Sequence, residues 1–364
     1  MAQEERILLI RLSHLGDVVH ALPLYHALRL GHPNARIAWA VEPPFAGLLD
    51  GLPGLERAIP FERRRNAAAW PRIASELARF NPTWTVDAQG NLKSAAVSLC
   101  APSARRSGLS RRDWRERLGA LVLHDQASPV PHGREHALDR MRQLAAHVGV
   151  LDGFPCFDLG LTGLELAQGE RAMTDALGSG PDPSDVLLAL SSVGDVRGWP
   201  LGHWASLVRG IVQAGRRVLI LSGPAEAALG QQLARELGEL RGARHWIGQA
   251  GLRELAAAYA LASRAGATYV GVDSGPMHLA AAMGLSVVAL AGPQSHLRTG
   301  PWPPPERAGN LARHRIVRAT DQPACAPCFA RRCTHRDGPV CMERIDSAQV
   351  LAALEAPSAE LPRA

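Results

Sequence analysis

TYVGVDSGPMHLAAAMGLSVVALAG, residues 268–292, reads as a strand, a tight turn, a helix and a second strand. TYVGV and SVVALAG are short apolar runs of strand length, and MHLAAAMG between them is helix-forming. A crossover helix between two such strands makes them parallel neighbours in one sheet. The same rhythm recurs along the chain. ILLIRL (7–12) precedes a helix expected near 17–30, RIAWAV (36–41) follows it, and TWTVDA starts at Thr83 after a helix expected near 67–80. VLLAL (186–190) and RRVLILS (216–222) continue the pattern in the second half. The Gly/Pro/Ser/Asp cluster GSGPDPSD (178–185) reads as a linker. The expected fold class is therefore α/β, with two Rossmann-like, doubly wound domains over 1–178 and 186–343, and a C-terminal helix and tail over 344–364.

Bulk properties narrow the function. A chain of 364 residues, 46% apolar, is long enough for two cores. The net charge of +6 points to an anionic partner. Lys93 is the only lysine among 40 basic residues. No nucleic-acid-binding motif accompanies the arginines, which argues against nucleic acid as that partner. The polar start MAQEER does not read as a secretory signal, and no apolar run reaches the roughly 18 residues of a membrane span. A cytoplasmic, peripheral protein is expected. Six cysteines then read as thiols or metal ligands before disulfides.

Doubly wound sheets bind ligands beyond the C-terminal ends of their strands. The loop after the first strand, RLSHLGDVVH (11–20), lacks the G-x-G-x-x-G dinucleotide fingerprint. Asp17 in it is either a helix cap or a general base. WTVDAQGNLKSA (84–95) places Gln89 in a loop and Lys93 near a helix start, as a site group or a plain surface lysine. Arg63, Arg64, Arg65, Arg105, Arg106, Arg111, Arg112, Arg115 and Arg117 form either a solvated face or a surface for phosphate and carboxylate. SSVGDVRGWP (191–200) carries Ser191, Ser192 and Arg197, all able to donate to phosphate oxygens. Glu226, after the strand ending at Ser222, suits ribose hydroxyls or a helix's first turn. Asp273, Ser274 and Gly275 open a helix whose free amides suit a diphosphate. His278, alone, would pass for a packed core residue. Cys325, Cys328, Cys333 and Cys341 lie within one short segment and read as reduced thiols or as a structural zinc or iron–sulfur site, although the spacing matches neither metal pattern cleanly.

Taken in order, RLSHLGDVVHALPL (11–24), WTVDAQGNLKSA, Arg197 before Trp199-Pro200, VDSG with His278, and RTGPW (298–302) resemble glycosyltransferase family 9, the heptosyltransferases. WTVDAQGNLKSA is most similar to heptosyltransferase I. The resemblance implies a GT-B fold, with two domains facing across a cleft and a terminal helix near 346–355 returning toward the N-terminal one. It implies an inverting transfer of heptose from ADP-heptose to the Kdo region of lipid A, at the anionic inner leaflet, without a catalytic cofactor. Asp17 would be the base. Ser191, Ser192, Arg197, Glu226, Asp273, Ser274, Gly275 and His278 would hold the donor. Ser13, Gly16, Arg63, Gln89, Lys93, Arg105 and Arg106 would serve the acceptor. Heptosyltransferase II or another family 9 transferase with a different sugar or acceptor, a nucleotide-sugar epimerase on the same fold, and a noncatalytic basic lipid-binding module are the alternatives.

Overall fold

The computed structural model describes residues 4–62, 69–190, 196–248, 251–308, 313–330 and 332–356. Arg63, Arg64, Arg65, Ser191 and Ser192 lie outside these. The chain forms two compact units, Met1–Leu161 and Thr162–Ala364.

The first unit contains β1 (Arg6–Ile10), α1 (Leu15–Gly31), β2 (Arg36–Val41), α2 (Pro43–Ala46), β3 (Leu55–Pro60), α3 (Ala69–Phe80), β4 (Trp84–Asp87), α4 (Leu92–Cys100), β5 (Arg105–Gly108), β6 (Asp125–Gln126) and α5 (Ala137–Val148). Its six strands run parallel in the order β3-β2-β1-β4-β5-β6. Leu8 and Ile10 join Ile73 and Leu77 of α3 and Val97 of α4 in one buried cluster. Ile7 and Leu9 point the other way and are equally buried. A strand covered on both faces explains why ILLI shows no alternation. At the end of α5 a Cβ on Gly149 would stand 2.5 Å from the Ala27 carbonyl oxygen, so glycine is what lets the chain approach α1 there.

The second unit contains α6 (Gly163–Leu177), β7 (Val186–Ala189), α7 (Leu201–Gln213), β8 (Val218–Ser222), α8 (Ala227–Leu237), β9 (Ala243–Ile247), α9 (Leu252–Ala265), β10 (Thr268–Val272), α10 (Gly275–Ala282), β11 (Ser286–Leu290), α11 (His296–Thr299), α12 (Pro305–Ala308), β12 (Arg315–Val317), α13 (Val340–Glu343) and α14 (Ser347–Glu355). The parallel order is β12-β11-β10-β7-β8-β9. Leu188, Ile220, Val270 and Val288 pack with Trp204 and Ile211 of α7 and with Val350 and Leu354 of α14.

One boundary differs from the sequence reading. The division falls before α6, because α6 packs on α9, with Gly169 close against Ala257 and an Arg253–Glu165 ion pair alongside. Residues 178–185 are then a structured turn into β7, where the buried Asp185 carboxylate accepts from Arg217 Nε at 2.7 Å. The terminal helix forms where expected. Its apolar side chains lie in the core of the second unit against α7. Among the described residues no helix is long and apolar enough to cross a membrane.

Candidate functional site

Strand order reverses between β1 and β4 in the first sheet and between β7 and β10 in the second. Crevices at such switch points are where doubly wound sheets hold ligands. In the first unit, Ile10 pairs with Asp87 at the C-terminal edge, so the loops 11–14 and 88–91 emerge side by side. Gln89 ties them together. Its Oε1 accepts from the Leu12 amide at 3.0 Å and the Ser13 amide at 3.5 Å, and its Nε2 donates to Ser13 Oγ at 3.4 Å. The buried Asp87 carboxylate accepts from the amides of Gln89 at 2.8 Å and Gly90 at 3.0 Å, and Gly90 supplies the positive φ that the turn needs. Burial pushes the Asp87 acid up, and those bonds oppose it. Asp87→Ala strands both amides and is expected to cost about 1–3 kcal/mol in urea unfolding. Asp87→Asn keeps an acceptor oxygen and should stay close to wild type.

Asp17 stands in the first turn of α1, not at its cap. The cap is His14, held at φ 64°, a conformation strained for a residue with a side chain. Arg11 reaches Asp17 Oδ1 from Nη2 at 2.6 Å, and its Nη1 donates to the Ala88 carbonyl. His14 Nδ1 lies 3.6 Å from Asp17 Oδ2. Burial raises the Asp17 acid, but Arg11 and His14 outweigh it and hold the pKa at about 2. A third of the side chain remains open, so an ionised carboxylate is presented at the edge of the crevice. Gly16 lies in the same turn.

Lys93 sits in the first turn of α4, behind the Asn91 cap. Arg105 and Arg106 do not join this group. They begin β5, three and two residues before Gly108, its partner to Asp87, and so lie about 10 and 7 Å away toward the opposite sheet edge. Arg105 stacks on Trp84 and bonds Asp125 at 3.1 Å, and Arg106 caps α4 through the Ser98 and Ala101 carbonyls. These bonds tie both arginines to their own unit.

In the second unit the loops after β10, β7 and β8 follow one another along the edge. Arg197, half-buried, donates from Nη1 to the Asp273 carbonyl at 2.7 Å, which brings its charge to the mouth of α10. Ser274 is the N-cap of α10 and makes no capping bond with its side chain, and Gly275 opens the helix. A guanidinium beside a helix N-terminus is a natural cradle for a phosphate. Asp273 itself is engaged: Oδ1 meets His278 Nε2 at 3.1 Å and Oδ2 accepts from Thr299 Oγ1 at 2.6 Å. His278 is 7% exposed, so it braces the turn through Asp273. Glu226 ends the short turn Pro224–Glu226 after β8, without capping α8 through its side chain. Trp199 anchors the Trp-Pro segment by donating from Nε1 to the Ile345 carbonyl at 2.9 Å.

Arg11 and Thr299 are the residues that the sequence reading passed over. Arg11 was visible as a charge at the end of an apolar strand, and Thr299 as the second residue of RTGPW. Their roles depend on contacts that no spacing reveals.

Cys325, Cys328, Cys333 and Cys341 line one small cavity together with His335. All are free thiols, and burial with the neighbouring sulfurs pushes Cys341 up to about 11. Among the described residues no three His, Cys, Asp or Glu side chains stand as a ligand set for a metal.

Comparison with known proteins agrees with this layout. The family model described as glycosyltransferase family 9 (heptosyltransferase) matches residues 70–336. Lipopolysaccharide heptosyltransferase 1 of Pseudomonas aeruginosa is 30% identical over 96% of this chain and 97% of its own. A family 9 glycosyltransferase structure from Veillonella parvula superposes with a TM-score of 0.75 at 18% identity, covering 98% of both chains. The ADP complex of Escherichia coli heptosyltransferase WaaC gives 0.69 at 22% identity, covering 96% of this chain and 99% of that one. The two Rossmann-like units are thus those of a GT-B glycosyltransferase, and the chain belongs to glycosyltransferase family 9, the heptosyltransferase family.

Proposed function

We propose that this chain transfers heptose, with inversion, from ADP-heptose to a Kdo sugar of lipid A during assembly of the lipopolysaccharide inner core, as a heptosyltransferase of type I. The observation that carries the reading is the Asp17 carboxylate, kept ionised by Arg11 at the switch point of the first unit. In this reading the first unit takes the acceptor and the second the nucleotide sugar. The acceptor hydroxyl attacks the anomeric carbon through an oxocarbenium-like state. Its proton passes to Asp17, and the bond from the anomeric carbon to the phosphate oxygen breaks with its electron pair leaving on ADP. Arg197, Ser274 and the amides opening α10 meet the charge that develops there. Glu226 accepts from the ribose hydroxyls. Ser13, Gly16, Gln89 and Lys93 line the acceptor side. The reading calls on no catalytic cofactor, and it leaves the four cysteines a structural part.

The test is ADP release by purified protein given ADP-heptose, with and without Kdo-lipid A. Acceptor-dependent release, with a product heavier by one heptose, is expected. Free sugar released without acceptor would replace the reading with epimerase chemistry. Release only with an acceptor that already carries one heptose would move the enzyme to type II. Binding of the lipid without turnover of any nucleotide sugar would leave a noncatalytic module.

A further inference from the structure

We infer that α4 and the 3-10 turn Arg117–Val122 together form a membrane footprint, fitted to an anionic bilayer surface. The inference rests on the lipid-borne acceptor proposed above. Leu92, Leu99, Leu118 and Leu121 are 55%, 60%, 68% and 69% exposed. Scattered exposed leucines are ordinary, but four on two contacting elements form a patch.

Local geometry aims them outward together. Leu92 and Leu99 are seven residues apart on α4, two helical turns, and so share a face. Leu118 and Leu121 are three apart in a 3-10 turn, where such residues eclipse. The two elements meet through small residues: a Cβ on Gly119 would lie 3.4 Å from Ala95 Cβ and 2.5 Å from the buried Trp114 ring. Packing is thus satisfied beneath, and the leucines remain for an outside partner.

The surrounding charge selects that partner. Arg111, Arg112, Arg115 and Arg117 are all exposed. Glu116 accepts from the Leu92 amide at 3.0 Å and lies 4.0 Å from Arg115, and Asp113 accepts from the Val130 amide at 3.4 Å, so four arginines against these two acids leave the stretch net positive. Aliphatic wedges rimmed by arginines suit an anionic headgroup layer over acyl chains. Protein interfaces favour aromatic anchors, and the aromatic residue here, Trp114, is only 3% exposed. The location fits as well. Leu92 directly follows the loop that Gln89 ties to the loop bearing Arg11, so a bilayer at the patch brings a lipid-anchored sugar beside that loop.

The 364-residue chain is sedimented with phosphatidylcholine vesicles, with and without phosphatidylglycerol. Wild type should bind the anionic vesicles, more weakly as salt rises. Leu118→Ser/Leu121→Ser should lower the partition on the order of tenfold. Arg111→Gln/Arg112→Gln/Arg115→Gln/Arg117→Gln should lower it on the order of a hundredfold or more. The leucine variant should keep its melting temperature and its ADP release with a deacylated, water-soluble acceptor, and lose rate on acceptor embedded in vesicles. Wild-type affinity in both variants would overturn the inference. So would a wild-type dimer that the leucine variant dissociates, since a second copy would then cover the patch. Vesicle binding needs neither nucleotide sugar nor acceptor, so failure of the transfer reaction and failure of the footprint are separate results.

Discussion

Asp17→Asn is expected to lower turnover by about 10²–10⁴-fold while leaving ADP-heptose binding intact. The amide keeps the size of the carboxylate and can still face Arg11, so the loop should hold. What it lacks is a site for the proton of the attacking hydroxyl. A carboxylate at about 2 is a weak base, and Arg11 makes it weaker. An oxocarbenium-like state resolves this, because the hydroxyl becomes acidic only as its bond to the anomeric carbon forms. Arg11 then secures ionisation at every working pH instead of high basicity. The sign follows: Asp17 is active when ionised, so its acid limb lies near pH 2 in the wild type. Arg11→Met removes the main lowering influence and leaves burial opposed by His14 alone. The limb should move to higher pH, with turnover falling more in acid than in alkaline buffer. A profile of unchanged shape in Arg11→Met, or full turnover in Asp17→Asn, would sink the assignment. Thermal melts distinguish this from unfolding.

Legibility in the sequence followed burial. RIAWAV and TYVGV match β2 and β10 to the residue, because strands covered on both faces are written as apolar runs. LERAIP, RRSG and ARHWI became β3, β5 and β9 without such runs. They lie outside the central strands, where pairing with a neighbour decides and propensity does not. The Gly/Pro cluster at 178–185 resembled a linker for a sound local reason, yet α6 before it belongs to the second unit. Which sheet a helix covers depends on a partner, here α9, that lies some eighty residues further on. The site was legible as a set of loops and less so as a set of roles. Gln89 and the VDSG turn follow directly on β4 and β10, Asp17 stands in the first turn of the helix after β1, and Arg197 lies in the segment between β7 and α7. Arg105 and Arg106 shared the charge but not the place, since they begin a strand instead of ending one.

Arg197→Ala is expected to lower turnover by about 10²–10³-fold, the usual effect of removing one donor aimed at developing charge. Its guanidinium is fixed 2.7 Å from the Asp273 carbonyl, so the charge is placed at the mouth of α10 before any ligand arrives and no reorganisation is needed during bond breaking. The same bond provides a rival account, in which Arg197 only braces the turn that Asp273, His278 and Thr299 also hold. The two accounts separate in kinetics. A brace lost would weaken ADP affinity and turnover together and lower the melting temperature. A charge lost at the leaving group removes an interaction that strengthens as the diphosphate departs, so kcat falls further than ADP affinity. Arg197→Lys sharpens the distinction. A lysine keeps the charge but gives up the planar fork, so turnover should recover part of the way. Thr299→Val supplies the control, because it loosens Asp273 without touching the charge. It should lower the melting temperature and affect kcat and ADP affinity alike, and a kcat loss in Arg197→Ala no deeper than its loss of ADP affinity would assign Arg197 to the brace.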